Sequence, residues 1–357
     1  MLTFTHRTLG QRVLFGEGQA ADHLLAEVKR LAAQAVMVIA ESSDHQRATV
    51  LAERLPQALI YDRVIPHVPL ETADQARRFA AEHDIDLLVS IGGGSATGLA
   101  KAIALSTGIP IVAIPTTYAG SEATNVWGIT ESARKTTGVD DRVLPVTVIY
   151  DIALTYTLPG ELSVASGLNA LAHCVDSMWA PRTDPIDQAL ATEGIRALSA
   201  GLPAVKEDPY NRAGREQTLY GAYLSAVAFS SAGSGLHHKI CHVLGGAYDL
   251  PHAQTHAVIL PHVLAYLAPA APAAGERIAL AFGSPDALTG LNRLRETLDA
   301  PVALGDYGFE EGSIEEAAQL ILPAVPDNTP REVTTGDLAQ LLRAAWAGDT
   351  PTLEMRR

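Results

Sequence analysis

Short, almost continuously apolar runs recur through the first 150 residues. They are AVMVIA (35–40), ALIY (58–61), DLLVSI (86–91), PIVAIP (110–115) and PVTVIY (145–150). Strands that are covered on both faces have this pattern, because neither face carries polar side chains. Segments of helical length and pattern, such as 71–83 and 95–106, lie between the runs. The alternation predicts a Rossmann-like α/β domain with a mostly parallel sheet.

The pattern changes after about Leu154. Ala- and Leu-rich segments with three- and four-residue periodicity follow, without a convincing β-rich run among them. We therefore predict a dinucleotide-binding α/β domain over 1–156 and an all-α catalytic domain over 157–357, with the active site in the cleft between them. APAAPAAGE (268–276) is predicted to be an exposed loop. The predicted helices of the second domain span 161–179, 186–204, 213–232, 236–247, 276–298, 314–323 and 335–346.

Composition and charge narrow the function classes. The 357-residue chain is 47% hydrophobic and 18% charged, which is typical of a soluble globular protein. A net charge of −14, without a run of Lys or Arg, argues against a nucleic-acid partner. We expect no membrane span and a cytoplasmic protein, since the N-terminus lacks the apolar region of a signal peptide. Cys174 and Cys241 are expected to be buried thiols.

A glycine-rich turn follows the third apolar run. In SIGGGSATGLAK (90–101) three consecutive glycines separate a strand from a predicted helix. Glycine lets the backbone approach an anion closely, and the N–H groups at a helix N-terminus favour a pyrophosphate. The alternative is a plain tight turn, since the GxGxxG pattern is missing. The predicted cofactor contacts in this segment are Gly92, Gly93, Gly94, Ser95 and Thr97.

Hydroxyl side chains follow the next strand, in AIPTTYAGSEAT (113–124). Ligands of open α/β sheets bind at this carboxyl end of the strands. We predict cofactor contacts for Thr116, Thr117, Tyr118 and Ser121, although Tyr118 could instead pack within the loop. Glu41 ends the first strand and is predicted to bind an adenosine ribose, which favours NADH over NADPH. The alternative for Glu41 is an exposed acid.

Six of the twelve histidines fall between Gly235 and His262. Imidazole binds metals and transfers protons near neutral pH. His238 and His242 are four residues apart and share a helix face, as do Asn169 and His173. The clustering favours an active site over a set of scattered structural histidines.

These residues resemble the iron-containing (group III) alcohol dehydrogenase family of the dehydroquinate-synthase-like superfamily. The resemblance runs nearly end to end. In the metal-dependent members an Asp and three His bind Fe²⁺ or Zn²⁺. Those positions correspond here to Asn169, His173, His238 and His252, and the nicotinamide-adjacent His corresponds to His242. The motifs that carry the resemblance are VLFGEG (13–18), IGGGSATGLAK (91–101), IPTTYAGSEAT (114–124), LPGELSVASGLNALAHCVDS (158–177), LHHKICHVLGGAYDLPHAQTHAVILPHV (236–263) and NTPREVT (328–334).

The chain departs from that pattern at Asn169, Gly98 and His256. The neutral Asn169 amide replaces the only anionic ligand of the metal, which weakens the site for a dication. The combination is similar to the maleylacetate reductase branch of the family. That resemblance implies reduction of the C=C bond of maleylacetate to 3-oxoadipate with NADH, and possibly NADPH, in aromatic-compound degradation. It also implies no obligatory metal and a homodimer.

The chemistry of a small dicarboxylate substrate fits this set of residues. Hydride addition to a C=C bond conjugated to a ketone gives an enolate, which needs hydrogen-bond donors and a proton. Protonated histidines supply both, and the Asn169 amide donates where an Asp carboxylate cannot. The predicted catalytic residues are Asn169, His173, His238, His242 and His252, and the substrate-binding residues are the same four histidines with Lys239.

Other interpretations remain open at this point. Lys239 could be solvated, and Arg331 could either reach the site or cap the neighbouring helix. The nearest alternative function is an Fe- or Zn-dependent alcohol or polyol dehydrogenase in which Asn169 still coordinates. A lyase of the same superfamily would need more Lys and Arg in the helical domain, and a non-catalytic nucleotide-binding protein would not need the histidines.

Overall fold

The computed structural model describes residues 3–131 and 134–352. They form two compact units, with the boundary between Leu158 and Pro159. The first unit begins at Thr8 and is α/β, and the second is helical and includes residues 3–7. We predicted that those first residues belong to the α/β domain. The structure groups them with the helical unit, where His6 Nδ1 lies 2.8 Å from Asp184 Oδ2.

The α/β unit is built on a six-stranded sheet in the order β1-β8-β5-β4-β2-β3, and all of its pairings are parallel. The predicted fold class is confirmed. Each predicted strand is present to within two residues at either end. The sheet strands are β1 (Arg12–Gly16), β2 (Val36–Ala40), β3 (Ala58–Tyr61), β4 (Leu87–Gly92), β5 (Ile111–Pro115) and β8 (Thr147–Asp151), and a separate antiparallel hairpin contains β6 (Val126–Glu131) and β7 (Arg134–Val139).

Helices cover both faces of this sheet, which explains the apolar runs. Met37 and Ile39 of β2 pack in one core cluster with Leu99, whereas Val36 and Val38 pack in the opposite cluster with Leu24. Successive side chains of a strand point to opposite faces, so a strand with two covered faces is apolar throughout. The helices of this unit are α1 (Ala20–Arg30), α2 (His45–Ala52), α3 (Leu70–Glu82) and α4 (Gly94–Thr107).

The second unit contains nine α-helices in the described part of the chain. None of the described helices is both long and apolar enough to cross a membrane. The helices are α5 (Gly160–Ser177), α6 (Pro185–Glu207), α7 (Arg212–Ala232), α8 (Leu236–Tyr248), α9 (His252–Leu267), α10 (Pro272–Phe282), α11 (Ala287–Thr297), α12 (Ile314–Ile321) and α13 (Thr335–Ala347).

Two predictions for this unit are wrong. The helix predicted over 276–298 is two helices, because Gly283 ends α10 with a left-handed φ of 60° and Asp286 caps α11 through Thr289 N. The exposed loop predicted over 268–276 is a 3-10 turn followed by the first residues of α10. Pro272 is the first residue of that helix, a position that proline favours.

Glycines allow α6 and α7 to pack very closely. A Cβ atom at Gly201 would lie 2.8 Å from Gly214 O and 2.5 Å from Thr218 Oγ1. At a second contact between the same two helices, a Cβ atom at Gly221 of α7 would lie 3.1 Å from Gly194 O of α6. The pair supports α5, which packs against both helices and carries the first site residues.

Candidate active site

The predicted cofactor-binding turn lies at the carboxyl end of β4 and β5. Gly92 ends β4 with a φ of 139°, which side chains disfavour, and Gly93 caps α4. A Cβ atom at Gly93 would lie 3.2 Å from Thr117 Cγ2, so the glycine turn and the hydroxyl segment after β5 are neighbours. The structure thus joins two motifs that are more than 20 residues apart in sequence, beside the N-terminus of a 14-residue helix.

The other predicted cofactor contacts differ in their exposure. Gly94 is exposed and Ser95 and Thr117 are partly exposed, so they are accessible to a ligand. Thr97 is 2% exposed and its hydroxyl lies 3.5 Å from Ser90 Oγ, on the side of α4 that faces the sheet. Tyr118 is fully buried, Thr116 is 7% exposed and Ser121 is partly exposed.

Lys101 fixes the segment that follows Ser121. Its ammonium group donates to Ser121 O at 2.6 Å, Thr124 O at 2.8 Å and Val126 O at 2.8 Å. Burial lowers the pKa of Lys101 to about 7, while Glu122 opposes this shift. The oxygen acceptors around the ammonium group also favour its charged form. We did not predict this role, although a lysine in the apolar SATGLAKAIALS segment is an unusual feature of the sequence.

Glu41 follows β2 directly, as predicted, and is partly exposed. Burial and the nearby Asp44 raise the pKa of Glu41, and a hydrogen bond with Ser95 opposes this shift. Asp44 was not predicted as a site residue. Its Oδ2 would lie 3.4 Å from a Cβ atom at Gly92, so the Asp44 carboxylate is a second acid close to the glycine turn. Arg47 pairs with Asp44.

Three helices bring the predicted histidines together. Helix α5 carries Asn169 and His173, α8 carries His238 and His242, and α9 begins at His252. The ring centroids are 4.9 Å apart for His173–His238, 6.0 Å for His238–His242 and 6.5 Å for His242–His252. The cluster predicted from sequence is therefore a cluster in space.

The cluster has an exposed side and a buried side. His242 and His252 are exposed, whereas Asn169, His173 and His238 are 4%, 7% and 1% exposed. Burial lowers the pKa of His173 to about 3 and holds the pKa of His238 well below its usual value, and neighbouring histidines add to both shifts. Burial therefore favours the neutral form of both imidazoles, whereas we expected protonated ones. A bound anion would raise their pKa values.

Several buried polar atoms of this cluster have no hydrogen-bond partner among the described residues. They are Asn169 Oδ1, His173 Nδ1 and His238 Nε2. An unsatisfied buried polar group costs about 1–3 kcal/mol, and folded proteins therefore contain few of them. Three of them within one histidine cluster leave polar atoms that a polar ligand or water can satisfy.

Asp176 is the residue of this site that we missed. It lies on α5 and its Oδ2 accepts a hydrogen bond from His238 Nδ1 at 2.7 Å and from Gly235 N at 2.8 Å. Burial raises the pKa of Asp176 to about 7, opposed by the backbone N–H groups of Gly235, His238 and His237 at the start of α8. A Cβ atom at Gly235 would lie 2.5 Å from Asp176 Oδ1, so glycine is required for this approach.

His237 and His256 extend the cluster inward. His237 Nε2 lies 2.8 Å from His256 Nδ1, and Cys241 Sγ lies 3.7 Å from the same His237 nitrogen. The His256 ring centroid is 5.0 Å from that of His238 and 4.4 Å from that of His252. His256, one of the three departures from the family pattern, thus bridges the exposed and buried sides.

The family's metal does not fit this donor set well. Asn169, His173, His238 and His252 offer three imidazoles and a neutral amide, and none of these groups is anionic at neutral pH. The Asp176 carboxylate contacts His238 at Nδ1, behind the ring. A dication in this group would therefore have no anionic protein ligand, unlike in the metal-dependent members that the sequence resembles.

Lys239 and Arg331 were the two cationic candidates for the site. Lys239 is partly exposed on α8, next to His238 in sequence but on a different face of the helix. The Arg331 guanidinium stacks over the Tyr266 ring, with its Cζ 4.1 Å from the ring centroid. The substrate-binding role predicted for Lys239 stays a prediction.

Comparison with known proteins identifies the family. Residues 10–152 match the iron-containing alcohol dehydrogenase model, and residues 163–346 match the C-terminal model of the Fe-containing alcohol dehydrogenase family. The α/β unit with a glycine turn and the helical unit with clustered histidines are those of an oxidoreductase. The chain belongs to the iron-containing alcohol dehydrogenase family, as we predicted.

Relatives within the family carry two kinds of name. The maleylacetate reductase of Delftia acidovorans is 42% identical over 98% of this chain and 99% of its own. The structure of maleylacetate reductase from Agrobacterium tumefaciens superposes with a TM-score of 0.94 at 39% identity, covering 98% and 100% of the two chains. An iron-containing alcohol dehydrogenase from Corynebacterium glutamicum superposes with a TM-score of 0.95 at 57% identity, covering 97% of each chain.

Proposed function

We propose that this protein reduces the C=C bond of maleylacetate with NADH, giving 3-oxoadipate. The observation that carries the proposal is the neutral Asn169 amide in a buried cluster where Asn169 Oδ1, His173 Nδ1 and His238 Nε2 have no hydrogen-bond partner among the described residues. Such a site suits an anion better than a cation. The maleylacetate reductases of similar sequence support the same substrate.

The exposed and buried histidines have different tasks in this proposal. His242 and His252 are exposed and can receive the dianionic substrate, whose charge raises their pKa values as it binds. Asn169 Oδ1 has no hydrogen-bond partner among the described residues, and the amide N–H₂ group can donate to a carboxylate or to the ketone oxygen of the substrate.

His238 is the donor that we assign to the developing enolate oxygen. Its Nδ1–H is donated to Asp176, so a proton on Nε2 makes an imidazolium whose counter-ion is already in place. Charge-assisted hydrogen bonds are roughly twice as strong as neutral ones. The Asp176–His238 pair therefore acts most strongly where negative charge develops in the transition state.

The α/β unit fits the nicotinamide dinucleotide. Gly92, Gly93 and the N-terminus of α4 offer backbone N–H groups to a pyrophosphate, and Glu41 offers a carboxylate to a ribose. When bound, NADH supplies the hydride. The proposed preference for NADH over NADPH comes from repulsion between Glu41 and a 2′-phosphate.

Metal-dependent alcohol oxidation is the second candidate. The 57% identical Corynebacterium glutamicum structure is named an iron-containing alcohol dehydrogenase, which favours it. The neutral amide at residue 169 argues against it for this chain. The two functions differ in their response to chelation, which allows a direct test.

The decisive experiment measures NADH oxidation with maleylacetate, with and without EDTA. We expect kcat/KM to be the same in both. Asn169→Asp should lower kcat/KM by roughly tenfold or more, since a carboxylate repels the dianion, and should increase the Zn²⁺ bound per chain. Asn211→Asp is the matched control, because Asn211 caps α7 and Asp caps equally well. Loss of activity in EDTA that Fe²⁺ or Zn²⁺ restores would refute the metal-free proposal.

We also propose a cytoplasmic homodimer, which rests on the family resemblance. Light scattering should then give twice the 37.7 kDa mass of the chain. A monomeric mass at the concentrations used for assay would contradict it.

A further inference from the structure

A second cluster of polar side chains joins the start of the described chain to α6. His6 Nδ1 lies 2.8 Å from Asp184 Oδ2 and 3.8 Å from Asp187 Oδ1. The side chains of His6, Asp184 and Asp187 are 12%, 4% and 0% exposed. One ligand atom from each lies within 4.8 Å of the others. None of these residues belongs to the histidine cluster of the proposed active site.

The two oxygens of Asp184 have different surroundings. Oδ1 caps α6 by accepting hydrogen bonds from Ile186 N at 2.7 Å and Asp187 N at 3.0 Å. Oδ2 is turned toward His6. The cap fixes the carboxylate in place, so Oδ2 is held as an acceptor at the base of the cluster.

Asp187 is the member of the cluster whose charge the surrounding protein balances least. It is fully buried, and neither carboxylate oxygen has a hydrogen-bond partner of ordinary geometry among the described residues. Burial and the neighbouring Asp184 raise the pKa of Asp187, while the Ser231 hydroxyl and His6 lower it. A single imidazolium at His6 could neutralise only one of the two carboxylates. Buried carboxylates are normally paired or bound to a metal.

We propose that His6, Asp184 and Asp187 bind a divalent cation of the Zn²⁺ class through one imidazole nitrogen and two carboxylate oxygens. Zn²⁺ accepts this N/O donor set with bonds of about 2.0–2.2 Å, which at angles near tetrahedral separates the donors by roughly 3.3–3.6 Å. The observed 2.8 and 3.8 Å need only a small adjustment. Such an ion would tie the segment around His6 to the first turn of α6.

The test titrates Zn²⁺ into chelator-treated full-length protein by calorimetry. The histidine cluster could also take up Zn²⁺, so the readout is the difference between variants. Asp187→Asn and His6→Gln should each lose one equivalent relative to wild type, whereas His238→Ala should retain that equivalent. Asp286→Asn is the matched control, since Asp286 also caps a helix but lies away from both clusters.

Thermal unfolding gives a second, independent measurement. In EDTA, Asp187→Asn should melt at the same temperature as wild type or higher, because it removes repulsion between two buried carboxylates. In excess Zn²⁺, the melting temperature of wild type should rise by a few degrees, whereas that of Asp187→Asn should not. If Asp187→Asn fails to fold, the same comparison is made with His6→Gln, which replaces a partly exposed side chain. Equal Zn²⁺ stoichiometry and equal melting shifts in wild type and both variants would overturn the proposal.

Discussion

Replacing Asp176 with Asn tests the centre of the proposed mechanism. Asp176 Oδ2 accepts hydrogen bonds from His238 Nδ1 and Gly235 N, at 2.7 and 2.8 Å. Asn has the same shape, so the packing around the side chain is preserved. With its amide oxygen in the place of Oδ2, Asn can still accept both hydrogen bonds, but it carries no charge and so cannot balance a proton on His238 Nε2.

The expected loss follows from the loss of this counter-charge. The wild-type pair can place an imidazolium next to the developing enolate, whereas the variant has no anion to balance that imidazolium. Removing one preorganised donor from an oxyanion site costs on the order of 10²–10³ in rate, and we take the lower end because the imidazole itself stays in place. We therefore expect kcat/KM for maleylacetate to fall about 10²-fold, which corresponds to about 2.7 kcal/mol of transition-state stabilisation.

The assay is steady-state NADH oxidation at saturating and limiting maleylacetate. The loss should lie mainly in kcat, while the KM for NADH should not change, because Asp176 lies in the helical unit and not at the glycine turn. Asp286→Asn is the control for loss of a helix-capping carboxylate. Melting temperatures of both variants separate chemistry from folding.

Two results would refute this reasoning. If Asp176→Asn keeps kcat/KM within about threefold of wild type, His238 does not need an anionic counter-ion. If its activity falls only in proportion to the fraction of unfolded protein, Asp176 has a structural role. Rescue by Asp176→Glu is not expected, because the longer side chain would displace His238 or collide with Gly235, which leaves no room for a Cβ atom.

Two further predictions concern other parts of the chain. Glu41→Ala should raise kcat/KM with NADPH relative to NADH in a two-cofactor assay, and an unchanged ratio would mean that Glu41 does not contact the ribose. Gly201→Ala should destabilise the helical unit by about 1–3 kcal/mol in urea unfolding, because its Cβ atom would lie 2.5 Å from Thr218 Oγ1. The matched Gly275→Ala, which meets no atom closer than 3.6 Å, should stabilise by up to about 1 kcal/mol.

The strands were predictable where both faces of the sheet are covered. Val36 to Ala40 are all buried, and an unbroken apolar run of this length between polar segments is typical of such a strand. The edge strand Arg12–Gly16 and the hairpin from Val126 were missed because their two faces are not both covered. The side chains of β1 and β6 are partly or fully exposed, so the apolar residues of these strands alternate irregularly with Gly, Thr and charged residues. An edge strand is defined by its neighbour, here β8, more than by its own composition.

The site was predictable as a set of residues and not as a set of contacts. His238 and His242 are recognisable by their helical spacing and residue type. Asp176 is not, because it lies 62 residues from His238 and only the packing of α5 against α8 joins them. In the sequence it is one acid among many. The neutral state of the buried histidines was also not predictable, since it follows from burial in the fold.

The position of the negative charge connects the fold to the proposed substrate. The metal-dependent relatives that the sequence resembles place a carboxylate where this chain has Asn169, among the groups that face the reactants. Here the contacting carboxylate, Asp176, lies behind His238, where it can balance a proton on the imidazole without meeting the substrate. The same three helices can therefore hold a cation in one arrangement and receive a dianion in the other. Among the four positions that correspond to metal ligands, the difference is the single side chain at residue 169 on α5, which is why Asn169→Asp tests the substrate class as well as the metal.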